Sequence, residues 1–378
     1  MIDIIFAIDY IATTSGGPRF LIEVFKKLAK NSYRIHVITG AVDNISIYAV
    51  NNMDIINLKI YKHNALPSEQ PTNVIRFLYK ASKLIKELIK EYTSPIVHLN
   101  SHFPNLLSYI TKSDVPTICS IHHLEETTQF LSAVSKTAKI IIQDLLEINS
   151  PCSVIHVPSR YTRQEAERIR LIKSRNIVII PPGIEVRKYI HLPRKVEDHL
   201  FIMIGRLEKR KHYDHAIAAF KIITKYRPDY KLIIIGDGSL KYKLIQLIKR
   251  YGLERNISLL GSVDEETKIK LLSRAEALIH LGYPEGFGIV ILEALATGTP
   301  VITYNVPPIN EIVRNGVTGI LIERDNIVAL TKTIMNFDHQ NFDEATLKRV
   351  ATKYDINKIA KRFETLYRSL AIRWQNEF

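Results

Sequence analysis

The sequence predicts an α/β protein of two domains, and three observations carry that prediction. The chain has 378 residues, too long for one ordinary domain and comfortable for two. Its first half alternates short apolar strands with amphipathic helices, the pattern of a mostly parallel sheet. Glycine turns follow several strands, at the ends where open α/β sheets gather their ligands. Hydrophobic content of 46% and charged content of 24% are values of a globular chain.

Composition narrows the function classes. There are 52 Lys and Arg against 38 Asp and Glu, a formal charge of +14 that points to an anionic partner. Nucleotide phosphates, an acidic membrane surface and nucleic acid all fit that charge. The basic residues are dispersed and no stacking-aromatic motif accompanies them, which sets nucleic acid aside. Cys119 and Cys152 are too few for a disulfide framework or a thiol zinc site, and they indicate a reducing cytoplasm. The apolar start, Ile2–Ile8, lacks a basic leader and reads as a first core strand rather than a signal peptide. No run approaches roughly 18 uncharged apolar residues, so no membrane-spanning helix is expected.

Strands are expected at Ile2–Ile8, Arg34–Thr39, Ile55–Ile60, Ile96–Leu99, Thr117–Ile121, Ser153–Val157 and Ile177–Ile180. After the first comes Thr13-Thr14-Ser15-Gly16-Gly17-Pro18, a glycine turn opening a helix; a plain tight turn reads the same way. Asn73–Tyr92 is an amphipathic helix, with Phe77, Leu78, Ala81, Leu84, Ile85, Leu88 and Ile89 on one face. Arg76, Lys80, Lys83, Lys86 and Lys90 gather opposite, either as a solvated face or as a patch that docks on anionic lipid. His122 and His123 stand just past the fifth strand, where a ligand-facing histidine and an ordinary loop histidine look alike. Ser159 is placed to cap the next helix. His191–His199 is polar and contains proline, a linker composition, which puts the domain boundary near residue 190.

The second half opens with strand Leu200–Ile204 and the turn Gly205-Arg206-Leu207-Glu208-Lys209-Arg210-Lys211. Two fixed cations at a strand end can hold a diphosphate and neutralise its growing charge, although an exposed basic turn has the same sequence. Gly236-Asp237-Gly238 follows strand Ile233–Ile235; Lys241 occupies the place of a third glycine, so the dinucleotide fingerprint is incomplete. Ile257–Leu260 leads to Gly261-Ser262-Val263-Asp264-Glu265, whose acids suit either a guanine contact or a helix start.

The densest chemistry lies at Glu285-Gly286-Phe287-Gly288-Ile289 and Glu293. As one continuous helix this stretch would set its two carboxylates about 12 Å apart. Gly286 and Gly288 instead make a loop, with helix starting near Ile289 and ending at Gly298. A helix N-terminus with exposed amides binds anions, usually phosphate. Carboxylates beside phosphate are tolerable when they are occupied by hydroxyls, and ribose and hexose supply those. The stretch reads as a nucleotide-sugar cradle.

This segment resembles the Glu, seven residues, Glu motif of the family 4 retaining glycosyltransferases, and the resemblance continues in order through most of the chain. It implies the GT-B architecture: two Rossmann-like doubly wound domains facing a central cleft, residues 1–190 on the acceptor side and 191–355 on the nucleotide-sugar side. Residues 356–378 are then a helix crossing back to the first domain. It implies transfer of a hexose from a UDP- or GDP-linked donor to a hydroxyl of a glycan, glycolipid or lipid-linked oligosaccharide. Arg206 and Lys211 fall on the diphosphate, Glu285 on the hexose, Glu293 on the ribose and His122 beside the reacting sugar. Gly16, Gly17, Gly236, Val263, Gly286, Phe287, Gly288 and Ile289 fall around the donor. His212 stands where glycine is common, and His123 replaces an aspartate. No Asp-x-Asp site accompanies these elements, so no metal and no cofactor is expected. A cytoplasmic enzyme, peripheral on the inner face of the cell membrane, follows from this reading, with a sugar-nucleotide epimerase of the same fold as the alternative. A phosphorylase is disfavoured because nothing resembles a pyridoxal phosphate lysine.

Overall fold

Parallel strands buried on both faces organise the chain twice over. The computed structural model describes residues 1–11, 16–30, 33–42, 58–62, 71–100, 102–111, 115–122, 149–169 and 176–377. Thr13–Ser15, His123 and the expected strand start at Ile55 lie outside the described residues. The chain divides into two units, Met1–Gly183 with Ile356–Phe378, and Ile184–Asp355.

The first unit holds a seven-stranded sheet in the order β3-β2-β1-β4-β5-β6-β7. Its strands are β1 Ile2–Ile11, β2 Tyr33–Val42, β3 Leu58–Lys62, β4 Pro95–Asn100, β5 Thr117–Ser120, β6 Val154–Val157 and β7 Asn176–Ile179. All pairings are parallel. Near-continuous apolar runs explain this: Ile4 through Ile8 are wholly buried, as strands covered by helices on both faces must be. The order reverses between β1 and β4, where Ile8 lies beside Asn100. Helix Pro71–Glu91 buries Phe77, Ala81, Ile85 and Leu88 at helical spacing, and its Arg76, Lys83, Lys86 and Lys90 are exposed. The final helix, Ile356–Glu377, lays Ile356, Ile359, Ala360, Phe363 and Tyr367 against helix Gly16–Ala29 and β4.

A polar chain threads this core. His156 Nε2 donates to the Ile180 carbonyl at 2.8 Å, so its Nδ1 accepts from the Ser120 hydroxyl at 2.7 Å. Ser120 in turn accepts from His98 Nε2, and His98 Nδ1 accepts from the Tyr367 hydroxyl, both at 2.6 Å. Each imidazole carries one proton, which leaves every link satisfied. Burial lowers both pKa values, that of His156 to about 4 and that of His98 well below the ordinary histidine value.

Cys119 and Cys152 form a disulfide, with Cα atoms 5.9 Å apart across a sequence separation of 33. Two cysteines, too few for a disulfide framework and read as a sign of reducing surroundings, thus make one bridge. Parallel pairing of β5 with β6, which sets Cys119 opposite Ile155, brings the two sulfurs together from positions that sequence spacing does not connect.

The second unit repeats the architecture with six parallel strands in the order β10-β9-β8-β11-β12-β13. These are β8 Leu200–Ile204, β9 Lys231–Ile235, β10 Ile257–Gly261, β11 Ala277–His280, β12 Val301–Tyr304 and β13 Gly319–Ile322. The unit begins at Ile184, ahead of residue 190, because Ile184, Val186 and Tyr189 enter its core. Nor is His191–His199 a slack linker. Arg194 donates to the carbonyls of Gly298, Ala275 and Glu276 at 2.6, 2.8 and 3.0 Å, and Lys195 and Glu197 bond Ser273 and Arg274 through their backbones.

Candidate active site

The strand order of the second sheet reverses between β8 and β11, and ligands of open α/β sheets bind at such a switch point, beyond the carboxyl ends. Past β8 come Gly205, Arg206 and the short turn Lys209–Lys211; past β11 come Leu281, Gly282 and the loop to Glu285. The two turns are joined where the Tyr283 amide donates to the Arg210 carbonyl at 2.8 Å. Lys211 Nζ and Glu285 Oε2 form an ion pair, and Arg210 reaches the same oxygen at 3.1 Å. Glu208 then links Arg210 at 3.0 Å to Arg206 at 3.1 Å. Arg206, Lys211 and Glu285 thus share one ionic chain, with three cations against two carboxylates. A surplus of positive charge at a strand end is what a diphosphate needs.

Burial alone would raise the pKa of Glu285, but the charges of Lys211 and Arg210 hold it well below the usual carboxylate range. Glu285 is therefore an anion at neutral pH: it can accept hydrogen bonds from hydroxyls and cannot donate a proton. Burial weakens the hold of Lys211 on its proton, Glu285 opposes that, and the net position is below the ordinary lysine value. His280, fully buried with its Nε2 at 3.7 Å from Glu285, is driven to about 3 by burial and by Lys211, and stays neutral. Gly282 leaves room for this cluster. A Cβ there would come within 2.8 Å of Glu285 Oε2 and 3.1 Å of His280 Nε2.

Helix Ile289–Ala296 begins where glycine spacing places it and ends two residues before Gly298, whose φ of +82° suits the C′ position after the Thr297 cap. Gly288 precedes it at φ +84° and no side chain caps it, so its first amides face outward without a preceding carbonyl. Phe287 is buried, its ring 5.7 Å from that of Tyr354, and anchors the loop. Glu293 is also buried. It meets Lys268 Nζ at 2.8 Å and the Tyr189 hydroxyl at 3.2 Å, while Glu265 accepts from the same hydroxyl at 2.5 Å. The two motif glutamates therefore face different cations, Glu285 the β8 turn and Glu293 helix Glu265–Arg274.

Gly236 lies past β9 at φ +142°, and a Cβ there would come within 1.9 Å of the Gly205 carbonyl oxygen; only glycine lets the two turns pass. Val263, half-buried past β10, packs on the core. Asp264 is a helix cap rather than a free base contact. Its carboxylate accepts from Thr267 N at 2.8 Å and Thr267 Oγ1 at 2.7 Å.

The remaining expected residues belong to the first unit. Gly16 and Gly17 open helix Gly16–Ala29 after β1. His122, past β5, bonds Asn100 Oδ1 at the end of β4 through Nε2 at 2.6 Å, with Phe20 edge-on at 6.0 Å between ring centres. They gather around the switch point of the first sheet.

Sequence reasoning missed Arg210, Glu208, His280, Lys268 and Tyr189. Arg210 was visible in the basic turn and set aside for Lys211; the structure puts both on Glu285. Lys268 lies one helical turn beyond Glu265 and pairs with it, yet nothing local shows that it also reaches Glu293.

A doubly wound α/β unit with cations, an uncapped helix N-terminus and two carboxylates near its switch point has the groups that suit a phosphate-bearing ligand. Two family models match the chain in tandem, Glycosyltransferase Family 4 over residues 14–188 and Glycosyl transferases group 1 over residues 190–354. The chain belongs to this family of glycosyltransferases, and its fold is GT-B. Among curated relatives, N-acetyl-alpha-D-glucosaminyl L-malate synthase of Bacillus anthracis is 30% identical over 176 residues, 45% of each chain. An uncharacterised glycosyltransferase of Methanocaldococcus jannaschii is 24% identical over 90% of this chain and 91% of its own. Several other matches, such as the Mycobacterium tuberculosis glycogen synthase at 48%, span about half of the relative's length. Among solved structures, sucrose-phosphate synthase of Thermosynechococcus elongatus superposes with a TM-score of 0.79 at 19% identity, covering 98% of this chain and 99% of its own. Anabaena HepE in complex with UDP and glucose superposes with a TM-score of 0.76 at 18% identity, covering 97% of this chain and 100% of its own.

Proposed function

We propose that the protein transfers a hexose, with retention at the anomeric carbon, from a UDP- or GDP-linked donor to a hydroxyl acceptor on a glycan, glycolipid or lipid-linked oligosaccharide. The observation that carries this reading is the ionic chain Arg206–Glu208–Arg210–Glu285–Lys211 beside the open N-terminus of helix Ile289–Ala296. When the anomeric C–O bond breaks, its electron pair goes to the diphosphate, and Arg206, Lys211 and the Gly286–Ile289 amides stabilise that charge. Glu285, held ionised, accepts from hexose hydroxyls; Glu293 accepts from the ribose; the role beside the reacting sugar is assigned to His122. Side-chain cations do the work of a divalent ion in this scheme, so transfer proceeds in a chelator.

The acceptor is membrane-borne in this reading. Helix Pro71–Glu91 exposes Ile75 and Tyr79 among Arg76, Lys83, Lys86 and Lys90, the mixture of apolar and cationic groups that an anionic headgroup layer attracts. No helix of the described residues is long and apolar enough to cross a membrane.

Incubation of the purified protein with labelled nucleotide sugars in EDTA, with and without acceptor, tests the proposal. Label passing to the acceptor supports it, with a UDP-linked hexose tried first because HepE is solved with UDP and glucose. Conversion of the donor sugar without acceptor indicates the epimerase instead, a reading that the named glycosyltransferase relatives disfavour. Activity that appears only with added magnesium contradicts the metal-free scheme.

A further inference from the structure

Beside the cationic turn lies a cluster that the transfer scheme does not use. His212 and His215 flank the start of helix Tyr213–Ile223, and Asp325 occupies the turn after β13. Each offers one ligand atom, and these atoms lie within 4.8 Å of one another. His212 has φ +49° and Asp325 φ +63°; among the described residues only His199 is a third non-glycine at positive φ. Such backbone persists where its surroundings over-determine it, and it gathers at functional sites. Glycine takes this conformation without steric cost, yet the chain sets an imidazole and a carboxylate there.

The side chains are already oriented. The Tyr283 backbone stands beside the His212 ring. The His212 and His215 ring centres are 4.7 Å apart. His215 Nδ1 lies 3.9 Å from Asp325 Oδ1 and 2.6 Å from the Tyr304 hydroxyl. The other carboxylate oxygen of Asp325 faces Arg324 Nε at 3.5 Å. In a tetrahedral zinc shell with bonds of about 2.0–2.2 Å, ligand atoms stand about 3.3–3.6 Å apart, a separation reached here by small side-chain rotations.

We propose that His212, His215 and Asp325 bind one divalent transition ion of the zinc class, with water completing the shell. Two imidazoles and a carboxylate suit such an ion, whereas magnesium and calcium prefer shells built of oxygen. Bound there, the ion ties the residue that follows Lys211 to the turn after β13 and steadies the cationic turn, without touching the reacting sugar.

The test uses untagged full-length protein stripped with a chelator, and it reads binding rather than transfer. Cobalt(II) chloride should develop a visible absorption band that saturates at one ion per chain. Zinc chloride should raise the melting temperature, and magnesium chloride should leave it unchanged. H212G, which keeps the backbone conformation, and D325N should each weaken cobalt binding at least tenfold. Absence of a saturable band, an equal shift with magnesium, or unchanged affinity in both variants overturns the proposal; the last outcome assigns the ion to other histidines. Failure here leaves the transfer reading intact, because that reading requires no ion.

Discussion

Replacing Lys211 by Met removes the cation at the centre of the site and keeps most of its volume. Glu285, with 13% of its side chain exposed, then retains Arg210 at 3.1 Å and loses its nearest partner. Breaking a buried pair from one side costs about 3–5 kcal/mol, and the surviving arginine places the expected loss near the lower end. Removing one preorganised charge from a developing oxyanion costs a further factor of about 10²–10³ in turnover. Urea titration should therefore show K211M destabilised by about 3 kcal/mol, and a donor-turnover assay should show the catalytic loss in whatever protein remains folded. The double variant K211M/E285Q separates the two effects. With the orphaned carboxylate neutralised it should recover much of the stability and none of the activity. If K211M melts like the wild type, or if the double variant is simply additive, Lys211 and Glu285 are not coupled and the site is wrongly built.

Other expectations follow from the same geometry. Gly236→Ala drives a Cβ into the Gly205 carbonyl oxygen, 1.9 Å away, at φ +142°, and should lower the melting temperature sharply, with a loss of about 3 kcal/mol or more. Acid should weaken the fold through His98, His156 and His280. Each is held neutral below its unfolded value of 6.5, so their stabilising effect is complete above that pH and is lost as pH falls toward about 4. For His156 alone the loss is about 3 kcal/mol by pH 4, measurable as a falling urea midpoint at constant ionic strength. A pH-independent midpoint across that interval would contradict the neutral assignment. Vesicles containing anionic lipid should retain the protein at low salt and release it at high salt, and K83E/K86E should abolish the retention; equal binding to neutral vesicles would contradict an electrostatic surface.

What the sequence revealed divides along a physical line. Features set within a few residues were legible: the strand–helix alternation, the Gly288 start and Gly298 stop of one helix, the Ser159 cap, and the apolar stripe of helix Pro71–Glu91. So were charges standing next to a glycine turn, such as Arg206 and Lys211. Contacts made by topology were not. Lys268 and Tyr189 reach Glu293 from other elements, Lys211 meets Glu285 because β11 neighbours β8, and Cys119 meets Cys152 because β5 pairs with β6. The polar stretch before β8 looked like a linker because its anchor, Arg194, bonds carbonyls about 80 to 100 residues away.

Titration calorimetry of UDP and GDP against the wild-type chain, Arg206→Ala and Glu293→Gln reads the nucleotide site itself. Arg206 is more than half exposed, so its removal should leave the fold undisturbed. One nucleoside diphosphate should bind per chain, with each substitution weakening that binding at least tenfold. A chain that binds neither nucleotide, or variants that bind as tightly as the wild type, would contradict that expectation.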